Sequence, residues 1–158
     1  ERVTRAIAMA FEASGARDAT IVVHVHPNGD WSVFSAESSA SLLARTSQWL
    51  TLPEIASRLE ALIVTRGEKG SEIYAGGQRH EIACVPAAAV VDPTGCGDAY
   101  RAGLLLALAE GQPLLQGAQL GSVLGSIKIA VQGCQNHRPS RAEIRAQFEQ
   151  HYGPWPFA

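Results

Sequence analysis

The run Val90-Val91-Asp92-Pro93-Thr94-Gly95-Cys96-Gly97-Asp98-Ala99-Tyr100-Arg101-Ala102-Gly103 joins a proline-bearing loop to the start of a helix. Gly95 and Gly97 flank one small residue, so the backbone amides of residues 95 to 98 can converge on a point that no side chain obstructs. A helix N-terminus carries partial positive charge, which makes such a turn an anion hole suited to phosphate. Asp98 stands in the first helical turn, where the same field favours a carboxylate, and it is placed to take a proton from an attacking hydroxyl. The same residues also fit a plain structural role, with Asp98 as an N-cap and the glycines closing a tight loop. Cys96 sits where a helix terminus can activate a thiol. No histidine pairs with it by spacing, and the need for a small residue between two glycines is sufficient reason for its presence.

Downstream of this run, residues 98–110 read as an amphipathic helix ended by Gly111 and Pro113. A second helix is expected over 114–131, with Gly117, Gly121 and Gly125 on one face, where missing side chains let another element come close. Ser140 and Glu143 form a capping box for a last helix to about residue 150, and the final Trp-Pro-Phe-Ala is a loose or docked tail. Upstream, residues 61–65 (ALIVT) and 19–25 (ATIVVHV) are continuous in apolarity, as strands buried on both faces are. A turn at 66–70 precedes a hairpin, 71–75 and 78–84, about Gly76-Gly77. Pro27-Asn28-Gly29-Asp30 is a turn, and helices are expected over 2–14, 37–48 and, from a Thr51/Glu54 capping box, to residue 60. Helices alternating with apolar strands predict a three-layer α/β/α architecture with a mostly parallel sheet, and no linker or repeat divides residues 1–158 into more than one domain.

The chain has 158 residues, 46% hydrophobic and 18% charged, the composition of one soluble globular domain rather than a disordered chain. Thirteen Lys and Arg against fifteen Asp and Glu leave no basic excess for a phosphodiester backbone, which argues against nucleic acid as partner and for a small molecule. Cys84, Cys96 and Cys134 are an odd number without C-x-x-C spacing, pointing to a reducing, cytoplasmic setting rather than disulfides or structural zinc. The longest apolar run, residues 102–109, is far short of the roughly 20 residues that span a bilayer, and no membrane partner is expected. His24 and His26 share a strand face at metal-ligand spacing, but no partnering cluster follows, so a metal-dependent hydrolase is a distant alternative. The G-x-x-x-x-G-K-[ST] phosphate loop is absent, and the 95–100 stretch lacks the third glycine of a dinucleotide loop.

D-P-T-G-C-G-D-A-Y-R-A-G over 92–103 resembles the D-T-x-G-A-G-D signature of the ribokinase, or PfkB, family of carbohydrate and nucleoside kinases, with Cys96 replacing the usual alanine. ALIVTRGEKGSEIY resembles the family's strand-turn-strand element beside the nucleotide, and GSIKIAVQGCQNHRPSRAEIRAQF its closing loop and terminal helix. Together with Cys96 and the Gln-Asn-His-Arg stretch, the likeness is greatest to the bacterial adenosine-kinase-like branch. It runs from about Ala40 to Tyr152, with the first forty residues matching only by order of elements.

The resemblance implies a ribokinase-like fold and a kinase moving the γ-phosphate of ATP, with Mg2+, to an alcohol group of a sugar or nucleoside, an adenosine-like acceptor being favoured. It implies Asp98 as general base and the amides of Gly95, Cys96 and Gly97 as donors to the transferring phosphoryl group, a reaction that needs mainly positioning and charge stabilisation. Thr65, Gly67, Glu68 and Gly70 would lie against ATP, with Glu68 a ribose contact or a solvated turn charge. Asp92 and the carbonyls of Thr94 and Gly133 would hold a monovalent cation such as K+; Asp92 equally fits a turn-initiating residue before proline. Two family features are missing. The acceptor-binding N-terminal half has no counterpart and the chain opens on Glu1, which points to the C-terminal portion of a larger kinase fold. The Mg2+-organising N-x-x-E element aligns with Ala36-Glu37-Ser38-Ser39, where both key positions are lost, so a non-catalytic nucleotide-binding module is the alternative. A half-sheet cut along one strand would also favour a homo-oligomer.

Overall fold

A computed structural model describes residues 20–25, 31–35, 56–57 and 61–158. The expected helices over 2–14 and 37–48, the turn at 27–30 and Ala36-Glu37-Ser38-Ser39 lie outside the described residues. Of the short helix expected to end at residue 60, Ala56 is described and is helical. The chain divides into two compact units, one built on the sheet and one on the helices that follow it.

The sheet has five strands, β1 (Thr20–Val25), β2 (Trp31–Ser35), β3 (Ala61–Thr65), β4 (Ser71–Ala75) and β5 (Gln78–Ile82), in the order β2-β1-β3-β4-β5. Ala61, Leu62, Ile63 and Val64 are all buried, which explains why β3 reads as an unbroken apolar run rather than an alternating one. β1 lies parallel to β3, with Thr20 opposite Ala61 and His24 opposite Thr65. This central pair is the parallel one, and the described sheet is mixed rather than mostly parallel as expected. β2 and β4 run antiparallel to their neighbours, because residues 26–30 and 66–70 are far too short for the crossover a parallel neighbour requires. The buried Glu72 of β4 is ion-paired with Arg66 at 3.0 Å and accepts from Arg79 at 2.9 Å and the Tyr74 hydroxyl at 2.7 Å. The Arg79 hydrogen bond leads in holding its carboxyl below the usual range, so the charge is compensated where it is desolvated.

The second unit contains α1 (Cys96–Ala109), α2 (Leu114–Ile129) and α3 (Arg141–Tyr152). Glycines bring α1 and α2 together: Gly103 faces Gly121, and Gly117 faces Ala107. Val85, Ala107, Leu120, Val123, Phe148 and Phe157 form the core of this unit. The Ser140 hydroxyl accepts from the Glu143 N–H at 3.2 Å while the Glu143 carboxylate accepts from the Ser140 N–H at 2.7 Å, so the capping box is complete. The tail is docked, with Phe157 stacked edge-on against Phe148 and Trp155, and Pro156 O accepting from Gln112. β5 ends at Ile82, two residues before its expected end. The Ala83 carbonyl is taken by the Ser122 and Tyr152 hydroxyls, and the Val85 N–H donates to Ser122, so this backbone bonds to helix side chains instead of a strand. Among the described residues no helix is long and apolar enough to cross a membrane.

Candidate functional site

The loop before α1 is held against the end of α2. The Val91 and Asp92 N–H groups both donate to the Ile129 carbonyl, at 2.8 and 3.0 Å. The Asp92 carboxylate accepts from Thr94 N–H at 2.9 Å through Oδ1, and from Gly133 N–H at 2.7 Å and Gln132 Nε2 at 3.1 Å through Oδ2. It therefore closes the turn before Pro93 and pins the loop to residues 132–133 at once. Gly133 adopts φ 82°, and a Cβ there would stand 2.6 Å from Asn136 Nδ2, so this position requires glycine. Beneath the loop, Lys128 is fully buried and donates through Nζ to the carbonyls of Asp92 at 2.9 Å and Val131 at 3.0 Å.

The Asp92 carboxyl is pulled down to about 2, chiefly by hydrogen bonding from the Thr94 side chain and N–H and then from Gly133 N–H. A folded-state value below the ordinary one means that its contribution to stability is present above the usual carboxylate range and is lost as pH falls through the folded value. Urea unfolding of the native chain and of Asp92→Asn is therefore expected to differ at neutral pH and to converge between about pH 4 and 2. A difference independent of pH would show that ionisation of Asp92 does not support the loop.

Gly95 opens α1 with φ 86°, in the left-handed region, and its carbonyl accepts from the Ala99 N–H at 3.0 Å. Cys96 N–H donates to Pro93 O at 3.1 Å. Of the three amides expected to form the anion hole, that of Cys96 is thus engaged in the turn. The N–H groups at this terminus without a protein acceptor among the described residues are those of Gly95, Gly97 and Asp98. A thiol is accommodated at Cys96 with Sγ 3.9 Å from Gly125 O, and burial pushes it up rather than activating it. The Asp98 side chain is 73% exposed and ion-paired with Arg101 on the next turn. Asp92, Thr94, Gly133 and the Gly95–Asp98 turn form one continuous group.

The other four expected contacts form a separate group, the turn between β3 and β4. Thr65 ends β3 opposite Ser71, and Gly67–Lys69 is a single 3-10 turn with Gly67 at φ 57°. Gly70 has φ 83°, and a Cβ on it would fall 2.1 Å from Ile82 O, so the turn cannot close with another residue. Glu68 is exposed, and burial, followed by its charge, raises the Cys84 thiol. His24 lies in β1, His26 lies outside the described residues, and among those described no three His, Cys, Asp or Glu residues gather as a metal group.

Sequence reasoning missed Lys128, Gln132 and Ser122, the side chains through which α2 and its C-terminal turn grip the two loops. One signal was available. Lys128 stands in an otherwise apolar part of α2, where a lysine is retained only with partners.

A glycine-opened helix N-terminus with an acidic first turn has the donors and the dipole to receive an anion. Residues 36–141 match the pfkB family of carbohydrate kinases, and the chain belongs to that family. It is 42% identical over 94 residues to the nucleoside kinase of Methanocaldococcus jannaschii, covering 60% of this chain and 31% of that protein. The structure of Burkholderia thailandensis nucleoside kinase in complex with inosine superposes with a TM-score of 0.65 at 46% identity, covering 68% of this chain and 35% of that one. Arabidopsis thaliana ribokinase complexed with ribose and ATP gives 0.55 at 25% identity, covering 63% and 35%. The chain therefore spans about a third of the length of the relatives it matches.

Proposed function

We propose that the chain is the nucleotide- and phosphate-binding C-terminal portion of an ATP-dependent kinase that phosphorylates an alcohol group of a nucleoside or sugar. The observation that carries this reading is the left-handed Gly95 opening α1, with the Gly95, Gly97 and Asp98 amides unengaged among the described residues and the Asp98 carboxylate exposed beside them. In the proposed reaction Asp98 takes the proton of the acceptor hydroxyl as its oxygen attacks the γ-phosphorus of Mg-ATP and ADP leaves. The amides and the α1 dipole offset charge on the transferring group. Mg2+ bound to the nucleotide would supply charge neutralisation to its phosphates. A purine nucleoside of the adenosine type is the favoured acceptor, since the Burkholderia relative has been solved with inosine and with ADP-inosine. The three cysteines are free thiols, which supports placing the protein in the reducing cytoplasm.

A second reading, a nucleotide-binding module without catalysis, is favoured by Ala36-Glu37-Ser38-Ser39, which has Ala36 and Ser39 where the family resemblance places Asn and Glu. Calorimetric titration with Mg-ATP and acceptor-dependent ADP release by the full-length protein, over a panel of nucleosides and sugars, separate the two. Binding with purine-nucleoside-dependent turnover is the expected result. Binding without turnover for any acceptor supports the second reading, and no binding at all overturns both.

A further inference from the structure

The family resemblance puts a monovalent cation at Asp92, Thr94 and Gly133. Such a site needs oxygen atoms with lone pairs free to converge on the ion. Here Asp92 Oδ1 already accepts one N–H and Oδ2 accepts two, and Gly133 turns its N–H toward the carboxylate. A positive charge is nevertheless present against this loop, and it is covalent: the Lys128 ammonium, 0% exposed, bound to the carbonyls of Asp92 and Val131 at 2.9 and 3.0 Å.

We propose that Lys128 takes the place of the monovalent cation, as a tethered positive charge that holds residues 91–94 on the end of α2 and so positions the amides of the Gly95–Asp98 turn. An ammonium on two carbonyl oxygens has the charge and the ligand type of a partly dehydrated potassium ion. Burying it is costly unless each proton and the net charge find partners. The two carbonyls take two of the protons, from positions 36 residues away in the chain for Asp92 and three for Val131, and the Asp92 carboxylate offsets the charge. Lys128 is thus a positioning residue that touches no nucleotide atom. It acts through the Asp92 carbonyl, one peptide from Pro93, whose own carbonyl takes the Cys96 N–H. The link to phosphate rests on the reading of the Gly95–Asp98 turn proposed above, whereas the exclusion of a bound cation does not.

The test compares KCl with tetramethylammonium chloride at equal ionic strength, reading melting temperature and Mg-ATP affinity, and adds a thallium(I) titration as a direct probe for a potassium-like site. The native protein is expected to melt and bind alike in both salts and to take up no thallium. Lys128→Ala, which opens space, is expected to bind Mg-ATP about tenfold or more weakly in tetramethylammonium and to recover in K+ or methylammonium. Lys128→Met keeps the packing without the charge and is expected to lose affinity without recovery. Potassium-specific stabilisation or thallium binding by the native protein would overturn the proposal, whether or not either variant folds. So would unrestored loss in Lys128→Ala that folds like the native chain. Absence of Mg-ATP binding in every salt would remove the phosphate reading, while melting and thallium uptake would still decide the fate of Lys128.

Discussion

Asp98→Asn in the full-length protein is expected to leave Mg-ATP affinity unchanged and to lower acceptor-dependent turnover by about 10²–10⁴-fold, the usual worth of a positioned general base. The amide keeps the size and hydrogen-bonding reach of the carboxylate but cannot take a proton from a hydroxyl at neutral pH. In the proposed site the nucleotide phosphates are held by backbone donors at the start of α1, which the substitution leaves in place. The one described side-chain partner it disturbs is Arg101, in an exposed pair one turn away, and pairs of that kind contribute about 0–1 kcal/mol. Thermal melting should therefore scarcely move, so that a fall in turnover reports chemistry rather than unfolding. Native-like turnover in Asp98→Asn would remove Asp98 from the reaction and leave it as a first-turn charge favourable to the helix dipole.

How much of this site can be read from sequence follows from how local each contribution is. The G-C-G-D turn is contiguous, and its geometry depends on glycine's freedom at φ 86° and on the missing acceptors of a helix start, both properties of a few adjacent residues. Lys128 and Gln132 act on Asp92 from 36 and 40 positions away, through the fold alone. Residue patterning registers such a lysine only as an interruption in an apolar helix. The engaged Cys96 amide was hidden for a smaller reason: whether an N–H at a helix start points outward or back to Pro93 is decided by the curvature of the turn, which residue types do not specify.

The strands show the same division. β3 matches its expected bounds because four consecutive buried positions leave an unambiguous apolar signature. β2 was not anticipated, although the Pro27–Asp30 turn before it was, because Trp31-Ser32-Val33-Phe34-Ser35 is short, polar at alternate positions only in part, and stabilised by pairing with β1. The docked tail likewise depends on Phe148, Trp155 and Phe157 meeting in space.

The glycines of α2 give a sharper case, since sequence treats Gly117, Gly121 and Gly125 as equivalent members of one stripe. The structure grades them. A Cβ on Gly121 would lie 2.6 Å from the Tyr100 carbonyl oxygen, and one on its opposite number Gly103 would lie 2.4 Å from the Gly121 nitrogen. In both cases the obstacle is backbone inside a helix, which cannot rotate aside as a side chain can. A Cβ on Gly117 would meet the Ala107 methyl at 2.7 Å, whereas one on Gly125 would find only the Cys96 carbonyl oxygen, at 3.9 Å. Gly121→Ala and Gly103→Ala are expected to lose about 1–3 kcal/mol on overpacking, outweighing the roughly 0.5–1 kcal/mol that alanine gains over glycine in a helix interior. Gly125→Ala meets no such contact and should keep that gain. Because Tyr100 lies one turn into α1, pushing it away from Gly121 also displaces the Gly95–Asp98 terminus, so Gly121→Ala is expected to weaken Mg-ATP binding while Gly125→Ala does not. Urea unfolding and calorimetry on the three variants check both halves of the expectation. Equal losses across the stripe would mean that α1 and α2 adjust as rigid bodies, and that the placement of the Gly95–Asp98 turn is not set by this contact.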